Sequence, residues 1–156
     1  MESIITSLPP ELAIMALAAL PVIELRGAVP LGLALGVRPA EVYFLAVAGN
    51  MLPIPLVYYL LVPVRHRLSA SPAVRRFVDR YLERLLERGA AVAKYGFWGL
   101  VVFVAVPLPG TGAWTGAIAA SLLGMRFRPA IVALTAGTAL AGIAVLVLSF
   151  LGGLVP

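Results

Sequence analysis

Two charged side chains lie two residues apart in an otherwise apolar stretch of the sequence, Pro21–Pro30. They are the carboxylate of Glu24 and the guanidinium of Arg26. Ionised groups are costly at the depth of membrane hydrocarbon, so residues of this kind usually face a cavity or a partner and mark functional sites. Removal from water favours the neutral form of Glu24, whereas the nearby Arg26 favours its charged form. A carboxylate balanced in this way can exchange a proton for a cation, and the guanidinium can hold a carboxylate or phosphate group through two hydrogen bonds.

A second polar stretch, Pro107–Gly116, reads PLPGTGAWTG and contains no charged residue. Its backbone amides precede a short apolar run, and amides at the start of a helix are suited to binding an anion. Asn50 is a further polar residue within an apolar run. We expect both stretches and Asn50 to form one site at the midplane of the membrane. The residues predicted to bind substrate or protons are Glu24, Arg26, Gly27, Pro30, Asn50, Pro107, Pro109, Gly110, Thr111, Gly112 and Trp114.

The same residues also have a structural interpretation. Glu24 and Arg26 could form a fixed ion pair that caps exposed backbone at a break in a helix. Asn50 is typical of a hydrogen bond between two membrane helices, whereas Thr111 and Trp114 are typical of packing and backbone satisfaction. The residues alone leave both interpretations open.

The composition of the chain indicates an integral membrane protein. Of its 156 residues, 62% are hydrophobic and only 12% are charged, whereas about 25% are charged in soluble domains. Mean hydropathy is +1.02. At this length, we expect residues 1–156 to form a single membrane domain. Because the chain has no cysteine and one histidine, a disulfide framework and a Cys/His metal cluster are excluded, and we expect neither an enzyme nor a cofactor.

Proline and glycine divide the apolar sequence into pieces of two lengths. Leu12–Leu20 and Leu31–Val37 are each too short to cross about 30 Å of hydrocarbon at about 1.5 Å per residue. We therefore expect the backbone to be broken around the charged pair, and the two pieces to form a re-entrant hairpin. The next run, 38–62, is long enough for a full span, and Pro53 and Pro55 predict a kink near its middle.

The same order of pieces occurs again later in the chain. Gly96–Val106 and Ala117–Met125 are short apolar runs on either side of the second polar stretch, and Pro129–Leu151 is long enough to span a membrane. We expect an all-α integral membrane protein with two repeats, residues 8–62 and 96–152, each a re-entrant helical hairpin followed by a transmembrane helix.

Residues 63–95 connect the repeats and carry most of the positive charge of the chain. Ser71 and Pro72 predict the start of an amphipathic helix, in which arginines repeat every fourth residue from Arg76 to Arg88. A solvated helix with internal ion pairs and a helix attached to anionic headgroups both fit this pattern. By the positive-inside rule, we expect the segment to be cytoplasmic. The net charge of +5 therefore indicates topology and not nucleic-acid binding.

Arg126 and Arg128 discriminate between two topologies. Four full crossings would place both arginines outside, against the positive-inside rule, whereas two re-entrant hairpins place them inside. The second topology puts both termini outside and gives the repeats opposite orientations. Inverted repeats with broken helices that meet near the midplane are typical of secondary transporters.

The motifs ELRGAVP, PLPGTGAWTG and the downstream LLGM resemble the family of putative small multidrug export proteins. More distantly, they are similar to the DedA superfamily, whose members move or scramble lipids, including polyprenyl phosphate carriers. The DedA resemblance implies two opposed re-entrant loops, with an acidic residue in the first and arginines in the second. Glu24 matches the acidic position. The second loop departs from that pattern, because no arginine or lysine lies between Lys94 and Arg126.

Three functions are compatible with these features. The first is proton-coupled translocation of a lipid-linked or other amphipathic anionic substrate through the midplane site. The alternatives are a proton/cationic-drug antiporter that uses Glu24, and a membrane scaffold that transports nothing. We expect a multi-pass protein of the cell membrane whose partners are membrane lipids and a second copy of the chain, and no nucleic acid.

Overall fold

A computed structural model describes residues 9–68, 94–107 and 110–153 of the chain. Within these residues it contains α-helices and no strand, so the all-α prediction is confirmed for the described ranges. The basic segment predicted to form an amphipathic helix lies largely outside them. In chain order, the helices are α1 (Pro10–Ala19), α2 (Glu24–Ala34), α3 (Pro39–Met51), α4 (Ile54–Leu68), α5 (Phe97–Ala105), α6 (Ala113–Leu122) and α7 (Phe127–Leu151).

The helices group into two compact units. The first unit comprises Met1–Pro53 and Thr138–Pro156, and therefore contains α1 to α3 and the second half of α7. The second unit comprises Ile54–Gly137, and contains α4 to α6 and the first half of α7.

Two helical segments are long and apolar enough to cross a membrane, Pro39–Leu61 and Phe127–Leu151. Their 23 and 25 residues rise about 35 and 38 Å, which exceeds a hydrocarbon core of about 30 Å. The first segment is interrupted by a turn at Leu52 and Pro53, which confirms the predicted kink. The second begins at Phe127, two residues before the predicted Pro129. A proline is tolerated in the first turn of a helix, because the N–H that it lacks would have no helical acceptor there.

The break in the first repeat lies before the charged pair and not around it. Helix α1 ends at Ala19, the chain turns through residues 20–23, and α2 begins at Glu24. The predicted restart at Leu31 was therefore wrong, and Pro30 lies inside α2. Pro30 lacks the N–H that would bond to the carbonyl of Arg26, but membrane helices tolerate one missing bond where neighbouring helices and side chains satisfy the freed group.

The break in the second repeat is also shorter than predicted. Helix α6 begins at Ala113 and not at Ala117, so Trp114 is helical. Two hydrogen bonds explain this early start, since the carbonyl of Gly112 accepts the N–H of Gly116 at 2.8 Å and the hydroxyl of Thr115 at 3.2 Å.

Helices α2 and α6 end in the same motif. Gly36 and Gly124 follow their last turns with φ of +77° and +71°, a backbone conformation that favours glycine. In α2, the N–H of Val37 bonds to the carbonyl of Gly32 at 3.2 Å; in α6, the N–H of Met125 bonds to the carbonyl of Ala120 at 2.9 Å. These are Schellman motifs. The matching sequences, 88 positions apart, are Leu35-Gly36-Val37-Arg38 and Leu123-Gly124-Met125-Arg126.

In the first unit, α1 and α2 form a hairpin beside α3. Glu11, at the start of α1, lines a groove with Ala40 and Glu41 at the start of α3. Ala19, at the end of α1, lines a second groove with Leu52 just beyond the end of α3. The core that joins the three helices includes Ile14, Ala28, Val29, Val42 and Ala46, all of them fully buried. Helix α1 therefore runs along α3 in the same direction.

Helix α2 then returns toward the start of α3. A methyl group placed on Gly32 would lie 2.8 Å from Ile14 Cδ1 and 3.0 Å from the Val42 methyl groups, so α2 crosses both neighbours at close range. Val42 is the fourth residue of α3. The hairpin therefore begins and finishes beside the amino-terminal end of α3.

In the second unit, α5 and α6 pack on the first half of α7. A methyl group on Gly116 would lie 2.7 Å from both Val104 of α5 and Leu134 of α7. The hydroxyl of Tyr58 donates to the carbonyl of Met125, between α6 and α7. The rings of Tyr58 and Tyr59 lie 5.3 and 4.7 Å from the ring of Phe127. The start of α7 therefore lies beside the end of the segment Pro39–Leu61.

Candidate functional site

Glu24 is buried and has an unfavourable backbone conformation. Its exposed fraction is 7%, and its φ is +50°, whereas no other non-glycine residue in the described ranges has a positive φ. Its N–H bonds to the carbonyl of Leu20 at 3.0 Å, which closes the turn between α1 and α2. A side chain with a Cβ in this region costs about 1–2 kcal/mol, and such strain is often found at functional sites. The fold therefore keeps a carboxylate where a glycine would be less strained.

Arg26 and Gly27 complete the first turn of α2. The partly buried guanidinium of Arg26 interacts electrostatically with the carboxylate of Glu24. A methyl group on Gly27 would lie 2.6 Å from Ile23 Cγ2, so this glycine lets the turn pack closely. Together with Pro30 in the next turn, the predicted site residues around the charged pair therefore lie on one short helix, whereas Asn50 lies in α3.

The tip of the hairpin lies beside the middle of the first long segment. Ala19, the last residue of α1, lines a groove with Gly49 and Leu52, and Leu52 lies close to the middle of Pro39–Leu61. The other acidic side chains whose burial is described, Glu11 and Glu41, are exposed near the start of α3. Among the described acidic residues, Glu24 alone is buried, and it follows the turn at the tip of this hairpin.

Asn50 is buried in the last turn of α3. Its exposed fraction is 1%, and neither Nδ2 nor Oδ1 has a hydrogen-bond partner among the described residues. The predicted interhelical hydrogen bond of Asn50 is therefore not present there. In α7, the fully buried Thr138 donates to Met51 Sδ at 3.6 Å. Thr138 was not among the residues predicted from the sequence, although a threonine in the middle of an apolar span is a detectable signal.

A hydrogen bond from a side chain to a backbone carbonyl stabilises the second break. The buried hydroxyl of Thr111 donates to the carbonyl of Val106 at 2.8 Å, and thereby satisfies a carbonyl that the end of α5 leaves without a helical donor. Trp114 Nε1 is buried without a hydrogen-bond partner in the described part of the chain. Pro107, Gly110 and Gly112 lie at the same break, whereas Pro109 lies outside the described residues.

The two breaks belong to different compact units. Their convergence on one midplane site therefore stays a prediction. Within the described residues, no group of three or more His, Cys, Asp or Glu side chains could hold a metal ion.

Comparison with known proteins gives one match. The model of the family described as "Putative small multi-drug export protein" matches residues 24–144, which extend from the first residue of α2 into the second half of α7. None of the curated proteins and none of the solved structures matches the chain. The more distant DedA relationship stays a prediction.

Proposed function

Because the chain belongs to the putative small multi-drug export protein family, we propose that it is a small secondary transporter that exports amphipathic cations in exchange for protons. The observation that carries the proposal is the carboxylate of Glu24. It is buried and held in a strained backbone conformation beside the middle of a membrane-length helix. A carboxylate retained under these conditions is a functional candidate by default.

The proposed exchange uses one carboxylate for two ligands. Ionised Glu24 binds the positive group of the substrate, and a proton that arrives from the other side neutralises Glu24 and releases the substrate. Arg26 interacts with the same carboxylate, and it stabilises the ionised form when no substrate is bound. The other acidic groups on the helices packed against α2, Glu11 and Glu41, are exposed.

We propose that both helix pairs are re-entrant hairpins. At about 1.5 Å per residue, α1 and α2 are each roughly half as long as the hydrocarbon is thick. The hairpin begins beside Ala40 and returns beside Val42, at the same end of α3. The Schellman motif after α2 then turns the chain directly into the long segment.

The second pair contacts the part of the first long segment that belongs to the second unit. The hydrogen bond from Tyr58 to Met125 sets the exit of α6 beside the end of Pro39–Leu61. By the positive-inside rule, the basic residues 63–95 before α5 and Arg126 after α6 lie on one side of the membrane, which supports a hairpin. Two hairpins that enter from opposite sides form the inverted repeat common in secondary transporters.

A second candidate function is translocation of an anionic, lipid-linked substrate. The partly exposed guanidinium of Arg26 favours it, because a phosphate or carboxylate could bind this group bidentately. The described part of the second break offers no positive side chain to assist Arg26. We therefore place the cationic substrate first.

Flux measurements distinguish these functions. The purified chain is reconstituted into proteoliposomes with an imposed pH gradient, and uptake of a fluorescent amphipathic cation is followed beside that of a labelled phosphate-bearing lipid. We expect cation flux that follows the pH gradient and stops when a protonophore collapses it. Movement of the anionic lipid alone would contradict the first function in favour of the second. Flux of neither would favour a scaffold.

Cysteine labelling tests the proposed topology, because the natural chain contains no cysteine. Single cysteines replace Glu11, Glu41, Lys94 and Arg128, all of which are exposed. With a membrane-impermeant maleimide, we expect Glu11→Cys and Glu41→Cys to react from one side, and Lys94→Cys and Arg128→Cys from the other. A pair split between the two sides would show that its hairpin crosses the membrane completely.

A further inference from the structure

The first long segment contains a buried amide, the side chain of Asn50, that the described residues leave without hydrogen bonds. Asn50 is 1% exposed, and both polar atoms of its side chain lack partners among the described residues. Burial of an amide without compensation is costly, and buried polar groups are normally paired. An asparagine at this position therefore indicates a ligand that binds its side chain.

Two prolines leave backbone carbonyls next to Asn50 in the chain without their helical donors. Pro53 and Pro55 have no N–H, so the carbonyls of Gly49 and Met51 lack the donors that a continuous helix would give them. These carbonyls flank Asn50 in the sequence, at the end of α3. The carboxyl end of a helix carries a partial negative charge, which adds to the attraction for a cation.

Thr138 supplies a hydroxyl oxygen beside this helix end. It is fully buried, and its hydroxyl donates to Met51 Sδ at 3.6 Å. A thioether is a weak acceptor, and a hydroxyl that donates its hydrogen keeps two lone pairs for another contact. Asn50, Met51 and Thr138 all belong to the first compact unit.

We propose that the end of α3 binds a dehydrated Na⁺ ion. Its ligands are Asn50 Oδ1, the freed carbonyls of Gly49 and Met51, and the hydroxyl of Thr138. These oxygens are neutral, which suits a monovalent ion, whereas sites for Ca²⁺ and Mg²⁺ generally include carboxylates. Interrupted membrane helices coordinate Na⁺ through unwound carbonyls and helix ends. The proposal goes beyond the proton exchange proposed above, because Na⁺ binding does not require transport.

Binding of radiolabelled Na⁺ to the purified wild-type chain tests the site directly. We expect saturable binding of about one ion per chain, with no displacement by choline. Thermal unfolding gives a second measurement. At a Na⁺ concentration 100-fold above Kd, we expect the Tm to rise by roughly 5–10 °C over choline at equal ionic strength. Absence of saturable binding, or equal Tm in Na⁺ and choline, would overturn the proposal in favour of a buried water molecule.

Three variants assign the binding to these residues. Asn50→Leu should be at least as stable as the wild type in choline, because it removes an unpaired amide, and should show no Tm rise with Na⁺. Thr138→Val should weaken Na⁺ binding by about tenfold. The matched control is Ser121→Ala. It removes the hydroxyl of Ser121, which is buried in the second unit and has no partner among the described residues, and it should keep the full response to Na⁺. If Asn50→Leu does not fold, Thr138→Val still tests the proposed ligands. Na⁺ binding by Thr138→Val as tight as that of the wild type and of Ser121→Ala would overturn the proposed ligand set.

Discussion

Replacement of Glu24 by glutamine is expected to lower proton-driven cation flux by about 10- to 100-fold. A charge-assisted hydrogen bond contributes about 1.5–3 kcal/mol, and each 1.4 kcal/mol corresponds to about tenfold in affinity. Glutamine retains the shape of the side chain but cannot ionise, so it binds a cationic group weakly and exchanges no proton. The residual flux of Glu24→Gln should be the same with and without a pH gradient. Initial rates in proteoliposomes across a series of pH gradients measure both effects.

Glu41→Gln is the matched control, because Glu41 is an exposed carboxylate in the same compact unit. It should keep the flux and the pH dependence of the wild type. Wild-type flux with its full dependence on the pH gradient in Glu24→Gln would contradict the role given to Glu24.

Two further replacements of Glu24 separate its charge from its backbone conformation. Glycine adopts the observed φ of +50° without steric penalty, whereas alanine retains a Cβ. We therefore expect Glu24→Gly to be more stable than Glu24→Ala by about 1 kcal/mol, and to unfold at a higher temperature. We expect transport by neither variant. If the residue served only to neutralise Arg26 structurally, Glu24→Gln would retain flux once stability was restored by lower temperature.

Gly49→Ala is expected to destabilise the chain by about 2–3 kcal/mol, the upper part of the range for overpacked cores. The added methyl group would lie 2.8 Å from Met15 Cα and closer still to the Met15 carbonyl oxygen, which are backbone atoms that cannot rotate away. Alanine favours a helix over glycine by about 1 kcal/mol, so an intrinsic effect alone would stabilise this variant. Thermal unfolding in detergent measures the difference.

Ala48→Leu is the control for Gly49→Ala, since Ala48 is the adjacent residue on the same helix and is exposed. Its stability should lie within about 0.5 kcal/mol of the wild type. A Gly49→Ala chain as stable as the wild type would show that α1 and α3 are not in close contact. We also expect Gly49→Ala to impair transport, because displacement of α1 moves the turn that holds Glu24.

The long helices could be predicted from the sequence because length and hydropathy act locally. The same holds for the kink at Pro53, where covalent structure removes a hydrogen bond. The starts of α2 and α6 were placed too late. Packing against α1 and α3 maintains helix at Pro30, and hydrogen bonds to the Gly112 carbonyl begin α6 before Trp114, although local preference favours a break at both places. The match between the two Leu-Gly-x-Arg sequences was also missed, although both were visible.

The candidate site was predictable in its charges and not in its geometry. The cost of ions in hydrocarbon identified Glu24 and Arg26, and this cost does not depend on the details of the fold. The positive φ of Glu24 could not be predicted, because the residues of the turn before it include no glycine. The lack of a partner for Asn50 among the described residues, and the position of Thr138, depend on which helices pack together, and hydropathy carries no information on that.

Gly49 and Gly137 extend the correspondence between the two Schellman motifs. Each is the eleventh residue of its long helix, and each faces the backbone of a short helix, Met15 in one case and Val101 in the other. The spacing of 88 residues thus recurs in this pair of glycines, which supports the predicted repeat of residues 8–62 and 96–152. Features that the two predicted repeats share serve the framework. We therefore expect substitutions at paired positions, such as Gly49 and Gly137, to change stability by equal amounts. What they do not share is the acidic tip of the first copy, so a phenotype that appears in only one copy reports on chemistry and not on architecture.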